Sequence, residues 1–173
     1  MTTIVGGVLP HGIVMAADTR TSDSEINAYW ESRVTPKVNK RNKVIWGVAG
    51  DANLCDLLTY IWEPPRTPIE DPLLLMHTVI MPSLAEIIPD GDTSWQILIG
   101  LKGHIFNIMD KSVVHDERFK YSAIGSGAAY ATGYLYSQKL TVGALEKAVQ
   151  VAATFDHSTG GHVVLTTLRR DDY

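Results

Sequence analysis

The chain has 173 residues, 45% hydrophobic and 20% charged, an ordinary globular balance that suggests neither disorder nor a membrane protein. No stretch approaches the ~20 consecutive apolar residues that a membrane helix needs. Lys and Arg total 15 against 19 Asp and Glu, and the resulting charge of −4 argues against nucleic acid as a partner, since phosphate binding is built on basic surface.

In chain order, the opening "MTTIVGGV" shows none of the basic, apolar and small-residue pattern of a secretory leader. Its Thr, Ile and Val favour a strand. A small second residue also suits removal of Met1, which would leave Thr2 with a hydroxyl and a free amine on one residue. "TTIVGGV" and "GIVMAAD" flank the turn "LPHG" and predict a hairpin. "ESRVTPKV" and "KVIWGVAG", separated by "NKRN", predict a second.

The period then changes. Leu54, Leu57, Leu58 and Ile61 recur at helical spacing from Asp51 to Trp62, with Asp51 or Asn53 as the cap. "EPPRTP" stops that helix. "EDPLLLMHTVIMPSLAEII" predicts a second helix with Pro72 in its first turn and a kink near Pro82. Strands return in "SWQILIGL" and "HIFNIMD", joined at Lys102 and Gly103, and in "KYSAIG". "SGAAYATGYLYSQ" and "TVGALEKAVQVAATF" predict two more helices, the second capped by Thr141, and "GHVVLTTL" a last strand. Two antiparallel sheets stacked face to face, with helix pairs outside, would bury these apolar faces. The chain reads as one domain over residues 1–173, without linker or repeat.

Four polar residues stand at turns beside apolar strands: Asp18 in "ADTRTS", Lys37 in "TPKV", Ser126 in "AIGSGAAY" and Asp156 in "TFDHSTGG". Singly, each has an ordinary reading as turn former, cap or solvated charge. Cys55, in the helical stretch "NLCDLLTYIW", reads as a small core residue, and as the lone cysteine it points to a reducing compartment.

Together with "MTTIVGG" and "GVAGD", these motifs resemble the proteasome β-subunit family, which includes the HslV-type peptidases, essentially end to end. The resemblance implies an α+β four-layer αββα sandwich, the N-terminal nucleophile hydrolase fold. It implies a threonine-type endopeptidase with Thr2 as nucleophile, Asp18 and Lys37 as activating pair and Gly50 as oxyanion donor. Ser126 and Asp156, with Thr159 where the family often has serine, would support the N-terminal amine. Val48 would floor the pocket for the residue preceding the cut, with Arg20, Thr21, Ser22 and Asp51 nearby. That floor predicts cleavage after Leu, Phe or Tyr. The implied partners are further copies of the chain in stacked rings, an ATP-dependent unfoldase and unfolded polypeptide, in the cytoplasm, with no cofactor.

The chemistry stands on its own. A threonine hydroxyl is a poor nucleophile unless a base takes its proton. An α-amino group, with a pKa of about 7.7–8.0, can be that base when a nearby positive charge depresses it. A buried Lys37 would supply the charge, and Asp18 its counter-ion.

Two features depart from the family pattern. The segment between Asp18 and Lys37, containing Tyr29 and Trp30, is longer than usual, and Asp51 stands where small residues are common. There Asp51 would either cap the helix or oppose an oxyanion. Other functions fit less well. The six His residues are scattered, without HExxH or paired Cys ligands, which excludes a recognisable metal site. "GSGAAY" lacks the last small residue and the βαβ setting of a dinucleotide fingerprint. An inactive ring-forming subunit, or a small-amide hydrolase of the same chemistry, are the alternatives.

Overall fold

The computed structural model describes residues 2–23, 28–31, 36–89, 94–110 and 112–173. The expected removal of Met1 and much of the segment between Asp18 and Lys37 lie outside them.

The first hairpin pairs β1 (Thr3–Leu9) with β2 (Gly12–Asp18) in the expected place. A small hairpin of β3 (Arg20–Asp23) and β4 (Ala28–Glu31) follows, where the expected elements include no hairpin. The second expected hairpin is displaced: it pairs β5 (Val38–Arg41) with β6 (Val44–Ala49), so of the expected strand "ESRVTPKV" only Val38 lies in β5, Pro36 and Lys37 precede it, and the turn is Asn42-Lys43 rather than "NKRN". Both turn residues have positive φ, 48° and 68°, the geometry whose twist matches that of the flanking strands. Polarity alone therefore placed the turn too early.

Helix α1 (Ala52–Tyr60) precedes a proline-rich connection to α2 (Pro72–Leu75), a π-helical turn (Met76–Ile80) and α3 (Met81–Ala85). The π turn stands just before Pro82, where the sequence predicts a kink. Proline has no N–H to give to the fourth carbonyl back, and its ring would strike that carbonyl. The helix widens instead, and Met81 N–H bonds the Met76 carbonyl.

Next come β7 (Gln96–Leu101), β8 (His104–Met109), β9 (Ser112–Val114) and β10 (Tyr121–Gly125). Then follow α4 (Ala128–Tyr136), α5 (Val142–Phe155), capped by Thr141, and β11 (Val163–Arg169).

Among the described residues, antiparallel pairing orders β10-β1-β2-β11 in one sheet and β5-β6-β7-β8-β9 in another. The strands alternate between two buried faces. On β2, Ile13, Met15 and Ala17 enter the layer between the sheets, while Val14 and Ala16 pack on the α4–α5 side. On β6, Ile45 and Ala49 face the inter-sheet layer, and Val44, Trp46 and Val48 face α1–α3. Helix α5 answers with Ala144, Leu145, Ala148, Val149 and Ala152, one stripe of a 3.6-residue period. The expected four-layer αββα sandwich is the observed one.

Candidate active site

Sheet register brings the first candidates together. Pairing of Ile4 with Ala17 sets the start of β1 beside the end of β2, and Thr3 N–H donates to Asp18 Oδ1 at 3.0 Å. The turn before β11 returns to the same point, where Gly160 N–H donates to Asp18 Oδ2 at 3.0 Å. Lys37, just ahead of β5, is tied to β6 by the Val48 N–H on its carbonyl. Its Nζ donates to Asp18 Oδ1 at 2.8 Å and to the Arg20 carbonyl.

Asp18 is thus a buried carboxylate, 2% exposed, held by two backbone N–H groups and one ammonium. That is how a buried charge is kept tolerable. Burial lowers the pKa of Lys37, and the attraction of Asp18 offsets only part of that effect.

A second carboxylate organises the opposite side. Asp156 Oδ2 accepts from Ser126 Oγ at 2.5 Å and Thr159 Oγ1 at 2.6 Å, and Oδ1 from Ser158 N–H at 3.0 Å. Burial alone would raise the Asp156 pKa, but these donors outweigh it and hold the carboxyl below its usual value. Thr159 Oγ1 also lies 2.6 Å from Thr3 Oγ1. A hydroxyl has one proton. Thr159 gives its proton to Asp156, so Thr3 donates to Thr159, and the chain of bonds runs Thr3 to Thr159 to Asp156. Ser126 reaches Thr2 through its backbone, its N–H donating to the Thr2 carbonyl at 3.0 Å.

Two glycines permit these approaches. Gly125 has φ +91°, and a Cβ there would lie 1.8 Å from the Thr2 carbonyl oxygen. Gly50 has φ +106°, and a Cβ there would lie 2.3 Å from the Ser94 carbonyl oxygen. Asp51 next to it is the α1 N-cap: Oδ1 accepts from Asn53 N–H at 2.7 Å and Leu54 N–H at 3.2 Å. Of the two roles considered for Asp51, the cap is the one the geometry carries.

These elements enclose a cavity of about 250 Å³. Thr2 lines it together with Lys37, Gly50, Asp51, Val48 and the β3 hydroxyl residues Thr21 and Ser22. Ala52, Cys55 and Asp56 complete the wall. Thr2 itself is 5% exposed.

Of the expected residues, Arg20 is not in that lining. Its guanidinium donates to the His157 carbonyl at 3.2 Å and lies 4.3 Å from the Tyr29 ring centroid. Cys55 is half-buried against the α1–α3 core, so it is both a packing residue and a cavity wall. Burial pushes its thiol pKa up, with the Asp56 charge adding to the effect, which disfavours a thiolate.

Sequence reasoning missed Thr3, Gly160 and Asp56. For Asp56 a signal existed, since it stands one helical turn from Ala52. For Thr3 and Gly160 there was none, because their roles depend on partners far along the chain. Among the described residues, no group of three or more His, Cys, Asp or Glu is placed to hold a metal ion, and no helix is long and apolar enough to cross a membrane.

No protein-family model and no curated protein matches the chain. Solved structures do. The chain is similar to Thiobacillus denitrificans BPH in complex with epoxomicin, at 22% identity and TM-score 0.70, over 96% of this chain and 99% of that one. It is similar to eukaryotic HslV from Trypanosoma brucei, at 17% identity and TM-score 0.69, over 95% and 98%. It is also similar to an Anbu mutant from Hyphomicrobium sp. strain MC1, at 18% identity and TM-score 0.71, over 100% and 83%. What the chain shares with these three structures is the fold, the four-layer αββα sandwich described above.

Proposed function

We propose that this chain is a threonine-type endopeptidase subunit that uses Thr2, freed by removal of Met1, as an N-terminal nucleophile. The observation that carries the reading is the buried Lys37–Asp18 pair on a cavity also lined by Thr2 and Gly50. A lysine this well buried lends positive charge to the space beside Thr2 and favours the neutral form of a nearby amine.

The steps follow from those groups. The Thr2 amine takes the hydroxyl proton as the oxygen attacks the scissile carbonyl carbon. Gly50 N–H, at the start of α1, donates to the resulting oxyanion. The C–N bond breaks, the Thr2 ammonium gives its proton to the departing amine, and an ester remains on Thr2. Water, deprotonated by the same amine, hydrolyses that ester and restores the hydroxyl. Ser126 N–H on the Thr2 carbonyl, and Thr159 on the Thr3 hydroxyl, both held by Asp156, support the chain at Thr2 and just after it.

The active unit in this reading is a single peptidase domain assembled into stacked rings in the cytoplasm, fed with unfolded polypeptide by an ATP-dependent unfoldase. Exposed apolar side chains at the end of α1 and on α2, among them Tyr60, the following Ile61, Leu73 and Leu74, support subunit contacts. An inactive ring subunit is the second reading. The intact Thr2, Asp18 and Lys37 favour the first, since a subunit without turnover has no need of all three.

The test is peptide hydrolysis by trimmed protein, Met1-retaining protein and Thr2→Ala. Only the trimmed form should turn over. An amide nitrogen, its lone pair delocalised, is no base, and alanine lacks the attacking oxygen. Thr2→Ser should keep partial activity. Epoxomicin, the ligand of the similar Thiobacillus protein, should block the trimmed form. Equal activity in all three preparations would overturn the mechanism, and inactivity of ring-assembled trimmed protein would favour the inactive subunit.

A further inference from the structure

The wall of the Thr2 cavity differs from the apolar floor that Val48 alone suggested. Ala52, Cys55 and Asp56 share one face of α1, being three and four residues apart, and all three line the cavity with Val48. Asp51 brings a second carboxylate to the same lining. The cation there, Lys37, is already bonded to Asp18, and the lining holds two further carboxylates against it. The charge left uncompensated in the lining is therefore negative.

The two carboxylates are not equivalent. Asp51 Oδ1 is engaged by the α1 N-terminal N–H groups. Asp56 is exposed and makes no hydrogen bond or ion pair with a described residue, so it is free to meet a ligand. At about 250 Å³ the cavity is below the ~300–1,000 Å³ of pockets that take drug-sized ligands, and suits one amino-acid side chain.

We propose that Asp56 makes this cavity select a cationic side chain, Arg or Lys, in the residue preceding the cut; the proposal rests on the peptidase reading above. The aliphatic stem lies along Val48, Ala52 and Cys55, and the charged head reaches the Asp56 carboxylate. A Leu or Phe side chain would fill the stem region and leave Asp56 facing apolar surface. A Glu side chain would meet like charge. This replaces the preference for Leu, Phe or Tyr drawn from Val48 alone.

The experiment uses trimmed, ring-assembled protein and fluorogenic peptides that differ only in the residue before the leaving group: Arg, Lys, Leu, Phe or Glu. Arg or Lys should exceed Leu in kcat/KM by about tenfold or more, the factor that about 1.4 kcal/mol supplies. Asp56→Asn should lower the Arg-to-Leu ratio by about that factor, and Asp56→Lys should raise Glu relative to Arg. Preference for Leu or Phe in the wild type, or an unchanged ratio in Asp56→Asn, would overturn the proposal. Because Asp56 is exposed, its variants should fold, which a thermal melt checks.

A second measurement separates the two readings. If no peptide is cut, the peptidase reading fails, and the cavity is judged by thermal shift with product peptides ending in Arg or in Leu. Tighter binding of the Arg peptide, lost in Asp56→Asn, would sustain the cationic preference. Equal shifts would overturn it.

Discussion

Lys37 Nζ lies 2.8 Å from Asp18 Oδ1, and the aspartate side chain that receives it is 1% exposed. The sheet that carries Asp18 and the sheet entered after Lys37 are different layers of the sandwich, so this bond also ties the two layers together beside Thr2.

Removing one partner should therefore cost more than removing both. Lys37→Met leaves a buried carboxylate supported only by the Thr3 and Gly160 N–H groups, and should lower stability by about 3–5 kcal/mol. Combining it with Asp18→Asn should cost less than the sum of the single changes. Urea denaturation of the three variants measures this. Strictly additive losses would mean that the pair is not a unit.

Asp156 gives a signed dependence on pH. Its folded pKa lies below the ordinary 3.8, so the folded state binds its proton less readily than the unfolded chain. Its contribution to stability is present above that value and is lost as the pH falls through the folded pKa. The stability difference between wild type and Asp156→Asn should thus be widest near neutral pH and shrink in acid. A gap that widens in acid would contradict the network. Thr159→Val, which strands the Thr3 hydroxyl in a buried site, should cost about 1–3 kcal/mol, and Thr159→Ser much less.

Asp51 separates a capping role from an electrostatic one. Asp51→Ala should destabilise by about 1 kcal/mol, whereas Asp51→Asn, which keeps an oxygen acceptor, should remain within a few tenths. Thermal melts of both variants decide it. Equal losses would show that the charge, not the cap bond, is what the helix uses.

Much of the fold was legible before any coordinates, because its signals are local. An apolar run in "GIVMAAD" beside the turn "LPHG" and a 3.6-residue period over "TVGALEKAVQVAATF" each declare themselves within one element. Thr141 and the Lys102-Gly103 turn act on neighbours a few residues away. Pro82 announced a kink for the same reason, although the π turn that accommodates it is a choice among backbone hydrogen bonds. The candidate nucleophile and its activating pair could be named from motifs, and it was the resemblance, not spacing, that linked them.

What only the tertiary structure decided is who meets whom. Thr3 and Asp18 are 15 residues apart, Asp18 and Gly160 are 142, and Thr3 and Thr159 are 156. Those contacts follow from the register of β1, β2 and β11, which no local pattern contains. The same holds for the cavity. Val48 alone promised an apolar pocket, and packing of α1 beside β6 set the Asp56 carboxylate in its wall. Propensity and period act over one turn or one pleat, whereas a site is assembled from side chains that only the packed sheets and helices bring within hydrogen-bond reach.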